Sequence, residues 1–197
     1  MGRVLIEWEP EFFISRAGCG AEDAKLLMRE VFKSKEWVLL DRGVDVDLLV
    51  PSVLKRLPEH LHGIAEHFMR AWWADPLIPM KGMAELVNEL KNKGYRIYLL
   101  SNASSELYKY FHRLPGAACF DGLLVSADHG LLKPEHEIYE LFLRSFGLKG
   151  GQCLFIDDTP INVEAAERAG MHGIVFHQDA AKLRRELAEE GIQVSLE

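Results

Sequence analysis

Cysteine is scarce in this chain: Cys19, Cys119 and Cys153 lie far apart, and no Cys-Xaa-Xaa-Cys pair occurs. An odd, scattered set excludes a disulfide framework and a thiolate zinc cluster, and it fits a reducing compartment. Basic runs are missing too. With 23 Lys plus Arg against 30 Asp plus Glu, the formal net charge is −7. A chain without a basic patch or a basic-aromatic stripe is not built to track a phosphate backbone, so nucleic acid is not an expected partner. No apolar stretch approaches the roughly 18 residues of a membrane-spanning helix, and the first residues carry no basic, apolar leader pattern. These absences predict a cytoplasmic protein with no membrane partner, and they leave the oligomeric state open. Internal repeats and low-complexity segments are missing as well.

What is present is enough apolar residue for one core and a smaller insertion: 197 residues, 48% of them hydrophobic. From about Glu9 to Asp75 the pattern is helix after helix. Leu61, Ile64, Ala65, Phe68, Met69 and Trp72 repeat at helical spacing, as do Ala24, Leu27, Met28 and Val31. Gly18, Gly20, the Asp41-Arg42-Gly43 turn and Pro58 separate the helices. From Pro76 onward strands alternate with helices: strands over 95–100, 122–126, 153–156 and 173–177, and helices over 104–113, 135–146 and 180–190. Thr159 and Pro160 open another helix, and Gly170 closes it. Alternation of this kind predicts an α/β fold, a doubly wound parallel sheet covered on both faces.

Three strand exits carry polar residues suited to one chemistry. The strand to Leu100 runs into Ser101 and Asn102, Lys133 stands just before Pro134, and the strand to Ile156 ends on Asp157 and Asp158. In an open α/β sheet such exits line one crevice. Adjacent carboxylates suit a hard divalent cation, hydroxyl and amide groups suit phosphate oxygens, and an ammonium neutralises both. Taken singly, each has a plainer reading, because Asp caps helices, Ser and Asn form turns, and Lys is most often a solvated loop residue. Together they favour a phosphoryl-transfer site.

The order of these residues resembles the haloacid dehalogenase superfamily, in its branch of small phosphatases with a helical cap. The resemblance spans nearly the whole chain. Leu99-Leu100-Ser101-Asn102 is similar to the family's second motif, Lys133-Pro134-Glu135 to its third, and Phe155 to Asn162 to its fourth. It implies a Rossmann-like core of residues 1–8 and 78–197, a helical cap of residues 9–77, and Mg²⁺-dependent hydrolysis of a small phosphorylated metabolite of sugar-phosphate type. It further implies Asp158 as direct Mg²⁺ ligand, Asp157 as its indirect partner, and Ser101, Asn102 and Lys133 as catalytic and phosphate-binding groups. The family's first motif is a strand ending in the attacking Asp, followed by a loop like Gly2 to Trp8, and Met1 stands where the next residue belongs. The expectation is therefore that nucleophile and strand lie outside these 197 residues, leaving the chain inactive as written and the sheet open between the strands ending at Ser101 and Asp157. A second acid two residues after the nucleophile is the usual proton carrier; here that position is Gly2, with Glu7 a weak substitute.

Two other readings compete. One is a non-catalytic phosphate-binding or scaffold protein, and the other is a metal-free haloacid dehalogenase, against which Asp157-Asp158 argues. A receiver domain places its acid pair near the N-terminus and is excluded by the order here. Arg42 is a candidate substrate-anion contact, although a solvated turn arginine is its plainer role. His60, His62 and His67 lack the i, i+4 spacing of helical zinc ligands and fit a polar helix face. Trp8, Trp37, Trp72 and Trp73 are expected to pack the helical segment onto the core.

Overall fold

In the computed structural model, which describes residues 1–196, the apolar stripes of the first third become a helical layer. Its members are α1 (Pro10–Arg16), α2 (Ala21–Leu27), α3 (Lys35–Asp41), α4 (Val46–Leu54) and α5 (His62–Ala71). Ser34 starts α3 by accepting from the Trp37 backbone N–H at 3.2 Å, and Asp45 starts α4 by accepting from the Asp47 N–H at 2.9 Å. After α2 a wider π turn, Met28–Phe32, swings Val31 and Phe32 inward. Rings of Trp8, Phe13, Phe32, Trp37 and Trp72 then meet at centroid distances of 4.9 to 6.2 Å. Trp73 stacks on Tyr110 at 5.8 Å. The tryptophans thus join the helical layer to both the N-terminal segment and the α/β part, as expected of large aromatic side chains.

The α/β part is two parallel strand pairs. β3 (Ile97–Ser101) pairs with β4 (Phe120–Val125), and β5 (Leu154–Asp157) pairs with β6 (His172–Val175). On one face, α6 (Met83–Asn92) and α10 (Ala180–Glu189) bury Met83, Leu86, Leu90, Leu183 and Leu187 against Ile174 and Phe176. On the other, α8 (His136–Ser145) and α9 (Pro160–Arg168) bury Ile138, Tyr139, Phe142, Ala165 and Ala166 against Leu100 and Leu124. Cover on both faces is the doubly wound arrangement. A short antiparallel ribbon, β1 (Ile6–Glu7) with β2 (Ile78–Pro79), closes the neck where the chain leaves for the helical layer and returns. No described helix is long and apolar enough to cross a membrane.

Two features depart from simple alternation. The helix expected over 104–113 shrinks to α7 (Leu107–Tyr110) plus a 3₁₀ turn, Phe111–Arg113. Ser104 and Ser105 favour turns, and Leu114 is already extended ahead of Pro115. The second feature is a division of the sheet. Among the described residues β3 pairs only with β4 and β5 only with β6. Between β3 and β5 lies a cavity of about 620 Å³, lined by Leu86, Leu99, Leu100, Leu154, Ile156 and Leu187 and reaching Met1.

The helical layer is fastened over the strand exits by the Asp41-Arg42-Gly43 turn. Ser126 Oγ donates to the Asp41 carbonyl at 2.6 Å, and the Arg42 guanidinium donates to the Gly130 carbonyl at 2.8 Å while pairing with Glu135. Gly43 has φ +85°, and a Cβ there would stand 2.1 Å from the Ala127 carbonyl oxygen. Both the dihedral and the close approach require glycine. Gly43→Ala is expected to lower unfolding free energy by roughly 2 kcal/mol or more, measured by urea denaturation, with proteolysis between α3 and α4 increased.

Candidate active site

Lys133 is the point at which three strand exits meet. Its backbone N–H donates to Asn102 Oδ1 at 2.8 Å, and Asn102 Nδ2 donates back to the Lys133 carbonyl at 3.0 Å. This two-way clamp holds the segment after β4 against the end of β3. The ammonium then turns inward, donating to Asp157 Oδ2 at 2.5 Å and to the Leu100 carbonyl at 3.2 Å, with the Phe155 ring centroid 5.4 Å away. Both side chains of the Lys133–Asp157 pair are 6% exposed.

Asp157 is filled on its other side as well. Its Oδ1 accepts from the Thr159 backbone N–H at 3.0 Å and from Asn162 Nδ2 at 2.9 Å. Pro160 at the first position of α9 directs this turn, and Asn162 is anchored in turn because its carbonyl accepts from the Tyr139 hydroxyl at 2.8 Å. Burial pushes the Asp157 carboxyl upward, yet the Lys133 charge and the hydrogen bonds from Lys133, Asn162 and Thr159 outweigh it, leaving the pKa below the ordinary carboxylate value. Asp158 is different. It points toward Arg3, whose Nε lies 3.7 Å away, and its side chain is 20% exposed. Of the acid pair, Asp158 is the one open to a ligand.

Ser101 closes β3 nearly buried, its hydroxyl turned to the Asn102 carbonyl at 3.4 Å. The structure therefore brings Ser101, Asn102, Lys133, Asp157 and Asp158 to one end of the strands. Arg42 arrives at the same edge, but its guanidinium is occupied by Gly130 and Glu135. The histidines of the helical layer reach ordinary partners: His60 Nε2 is 3.1 Å from Asp23, His62 Nε2 3.0 Å from the Leu57 carbonyl, and His67 Nε2 3.4 Å from Asp75. Among the described residues no three His, Cys, Asp or Glu side chains converge on one metal position.

Sequence reasoning did not single out three contributors. Asn162 had a visible signal, since it lies in the first turn of a helix beginning beside the acid pair. Arg3 had none, because its approach to Asp158 is made by a turn with φ +59°. Asp41 was visible only as a turn residue. In the fold it lies within range of the Lys133 charge, and burial raises its carboxyl to about 7 with Lys133 opposing.

Once this geometry is in view, comparison with known proteins is informative. The family described as haloacid dehalogenase-like hydrolase matches residues 22–170, more than half of the chain. This chain belongs to that family. Within it, a sesquiterpene phosphatase of Aspergillus oryzae is 28% identical over 182 residues, covering 88% of this chain and 85% of that protein. A chloroplast flavin mononucleotide hydrolase of Arabidopsis thaliana is 31% identical over 117 residues, 59% of this chain and 47% of that protein. Among solved structures, a haloacid dehalogenase family enzyme of Bacteroides thetaiotaomicron, in complex with magnesium and inorganic phosphate, superposes with a TM-score of 0.68 at 20% identity, covering 93% of this chain and 95% of that one. That likeness establishes the α/β fold of the haloacid dehalogenase-like hydrolases here.

The buried charges of this site make two opposite predictions. Lys133→Met strands the Asp157 carboxylate and is expected to cost about 3–5 kcal/mol near pH 7. Because the Asp157 pKa is depressed, the loss shrinks as pH falls and that carboxyl protonates in both forms; denaturation near pH 3 and pH 7 checks it. Asp41 runs the other way. Its folded pKa is raised, so the folded state holds the extra proton and loses stability as pH climbs from about 4 to 7. Asp41→Asn should then exceed the parent in stability by on the order of 2 kcal/mol at about pH 8 and by little near pH 4.

Proposed function

We propose that this chain forms a Mg²⁺-dependent phosphomonoester hydrolase for small phosphorylated metabolites, with residues 9–77 acting as a cap over the core of residues 1–8 and 78–197. The observation that carries this reading is the Lys133 ammonium, locked by Asn102, Leu100 and Asp157 where the strand exits meet. A fixed cation in a partly dry crevice is what a transferring phosphoryl group requires. The names of two relatives, a sesquiterpene phosphatase and a flavin mononucleotide hydrolase, support the reaction class.

The donor set fits a magnesium ion. Asp158 has an accessible carboxylate beside the crevice, whereas Asp157 is engaged by Lys133, Thr159 and Asn162 and acts at most through water. Mg²⁺ commonly takes one or two carboxylates and completes its shell with water and substrate phosphate, so two adjacent acids suffice. When bound, the ion draws charge from the phosphoryl oxygens. The chain's own groups do the rest. Lys133 offsets negative charge, the Ser101 hydroxyl turns from the Asn102 carbonyl to a phosphoryl oxygen, and the Asn102 clamp keeps the Lys133 segment in register. The Arg42–Glu135 pair holds the cap turn, with Asp41, over the crevice.

In this reading the attacking carboxylate sits at the end of the cavity between β3 and β5, near Met1. Asp157 cannot attack while three donors hold it, and Asp158 is reserved for the cation. Attack on phosphorus forms an aspartyl-phosphate and expels the alcohol; water then cleaves it to phosphate and free carboxylate. The 197 residues by themselves are expected to bind Mg²⁺ and phosphate weakly and to hydrolyse phosphomonoesters negligibly. Placing an apolar strand ending in Asp directly before Met1 should give Mg²⁺-dependent turnover, abolished by chelator and reduced roughly 10²-fold or more by Asp158→Asn. Full activity of the 197 residues alone defeats this placement of the nucleophile, and turnover indifferent to Asp158→Asn defeats the metal assignment.

A further inference from the structure

Away from the strand exits, the helical layer holds a groove of about 600 Å³ between α1, α2 and the π turn. None of its lining residues belongs to the candidate active site. Its floor is apolar and adaptable. Ile14 from α1 is 3% exposed, and Ala24 and the unbranched Met28 side chain line the groove with it. Cys19, in the link between the two helices, is a further lining residue. Burial, and then the Asp23 charge, push its thiol upward, so at neutral pH it stays protonated and acts as a small apolar group.

One wall is cationic. Lys25, Arg29 and Lys33 recur every four residues from α2 through the π turn, and all three line the groove. Like charges at that spacing repel. Glu22 relieves Lys25 at 2.7 Å and Glu30 relieves Arg29 at 2.5 Å, but neither glutamate lines the groove. Lys33 is the cation left without a carboxylate among the described residues. Glu11, from α1, is the lining residue of opposite sign, so three positive groups face one negative in a chain of net charge −7. The backbone of this wall is irregular as well. The Lys33 N–H donates to the Met28 carbonyl, five residues back, at 3.0 Å, and such wide turns are rare in helices but frequent at functional sites.

Size and charge specify the occupant. α1 and α2 have seven residues each, about 10 Å of helix. The groove matches the volume of small-ligand sites and is too short for a stable protein interface. An apolar floor suits an alkyl chain, and the single unpaired cation suits one carboxylate rather than a doubly charged phosphate.

We propose that this groove binds a medium-chain fatty acid, with its alkyl chain along Ile14, Ala24 and Met28 and its carboxylate at Lys33. The site is separate from the hydrolase reading above, and its test needs no turnover.

The 197-residue chain is titrated with octanoate, decanoate and decanol by calorimetry. Alkylation of Cys19 is followed by peptide mass spectrometry, with Cys119 and Cys153 as internal references. Decanoate should bind saturably with Kd below about 100 μM, roughly 10-fold more tightly than octanoate because two more methylenes are buried. Decanol, which lacks the charge, should bind roughly 5-fold more weakly than decanoate or worse. Bound decanoate should slow alkylation of Cys19 several-fold and leave Cys119 and Cys153 unchanged. Lys33→Glu, at an exposed position, should weaken decanoate roughly 5-fold or more and spare decanol, whereas Ala24→Phe, which fills the groove, should abolish binding of both. Absence of saturable binding, equal affinity for decanol and decanoate, or an unprotected Cys19 overturns the site. Undiminished decanoate binding by Lys33→Glu does the same, and it decides the matter if Ala24→Phe does not fold. Protection of Cys19 that rises with protein concentration without decanoate assigns the groove to a second copy of the chain and also overturns the fatty-acid site.

Discussion

The Lys133–Asp157 pair is the interaction on which the rest of the structure turns. Two charges held almost out of water are tolerable only when surrounding polar groups hydrogen-bond them. Leu100 supplies a carbonyl, Thr159 and Asn162 supply donors, and Tyr139 fixes Asn162. The pair therefore binds the segment after β4 to the ends of β3 and β5 and to the first turn of α9. It also presets the electrostatics of the crevice. Asp157 stays ionised and occupied, which leaves Asp158 as the accessible acid.

A second constraint comes from the helical layer. It meets the strand exits through one turn in which Gly43 touches backbone, Arg42 reaches Glu135 and Gly130, and the Asp41 carbonyl accepts from Ser126. Such a contact fixes position with few atoms, because backbone-to-backbone approach tolerates no slack. It also carries a destabilised acid, Asp41, to the neighbourhood of Lys133. Strained or desolvated groups collect where chemistry is done and are stabilised by structure elsewhere; here that structure is the aromatic cluster around Trp8, Trp37 and Trp72.

Much of this was readable beforehand. The helical stripes, the alternation after Pro76 and the polar strand exits located the fold class and Ser101, Asn102, Lys133, Asp157 and Asp158, since periodicity and turn chemistry are local properties. The division of the sheet between β3 and β5 was also expected, from the position of Met1 relative to the motifs. Arg42 shows the limit of such reading. Residue type and turn position suggested an anion contact, but whether a guanidinium faces a ligand or a neighbouring carboxylate depends on Glu135, 93 residues away.

By itself, then, the sequence determined most of the core helices and strands, the two-sided burial of the core, and the residue types delivered to the strand exits, because each follows from side-chain pattern within a few residues. Only the tertiary structure decided how the acids divide their work. Asp157 is spent on Lys133, Asp158 is left open beside Arg3, and Asp41 is desolvated near the ammonium. Such roles are set by burial and by partners far apart in the chain, and a charge's energy depends on its surroundings in space rather than on its neighbours in sequence.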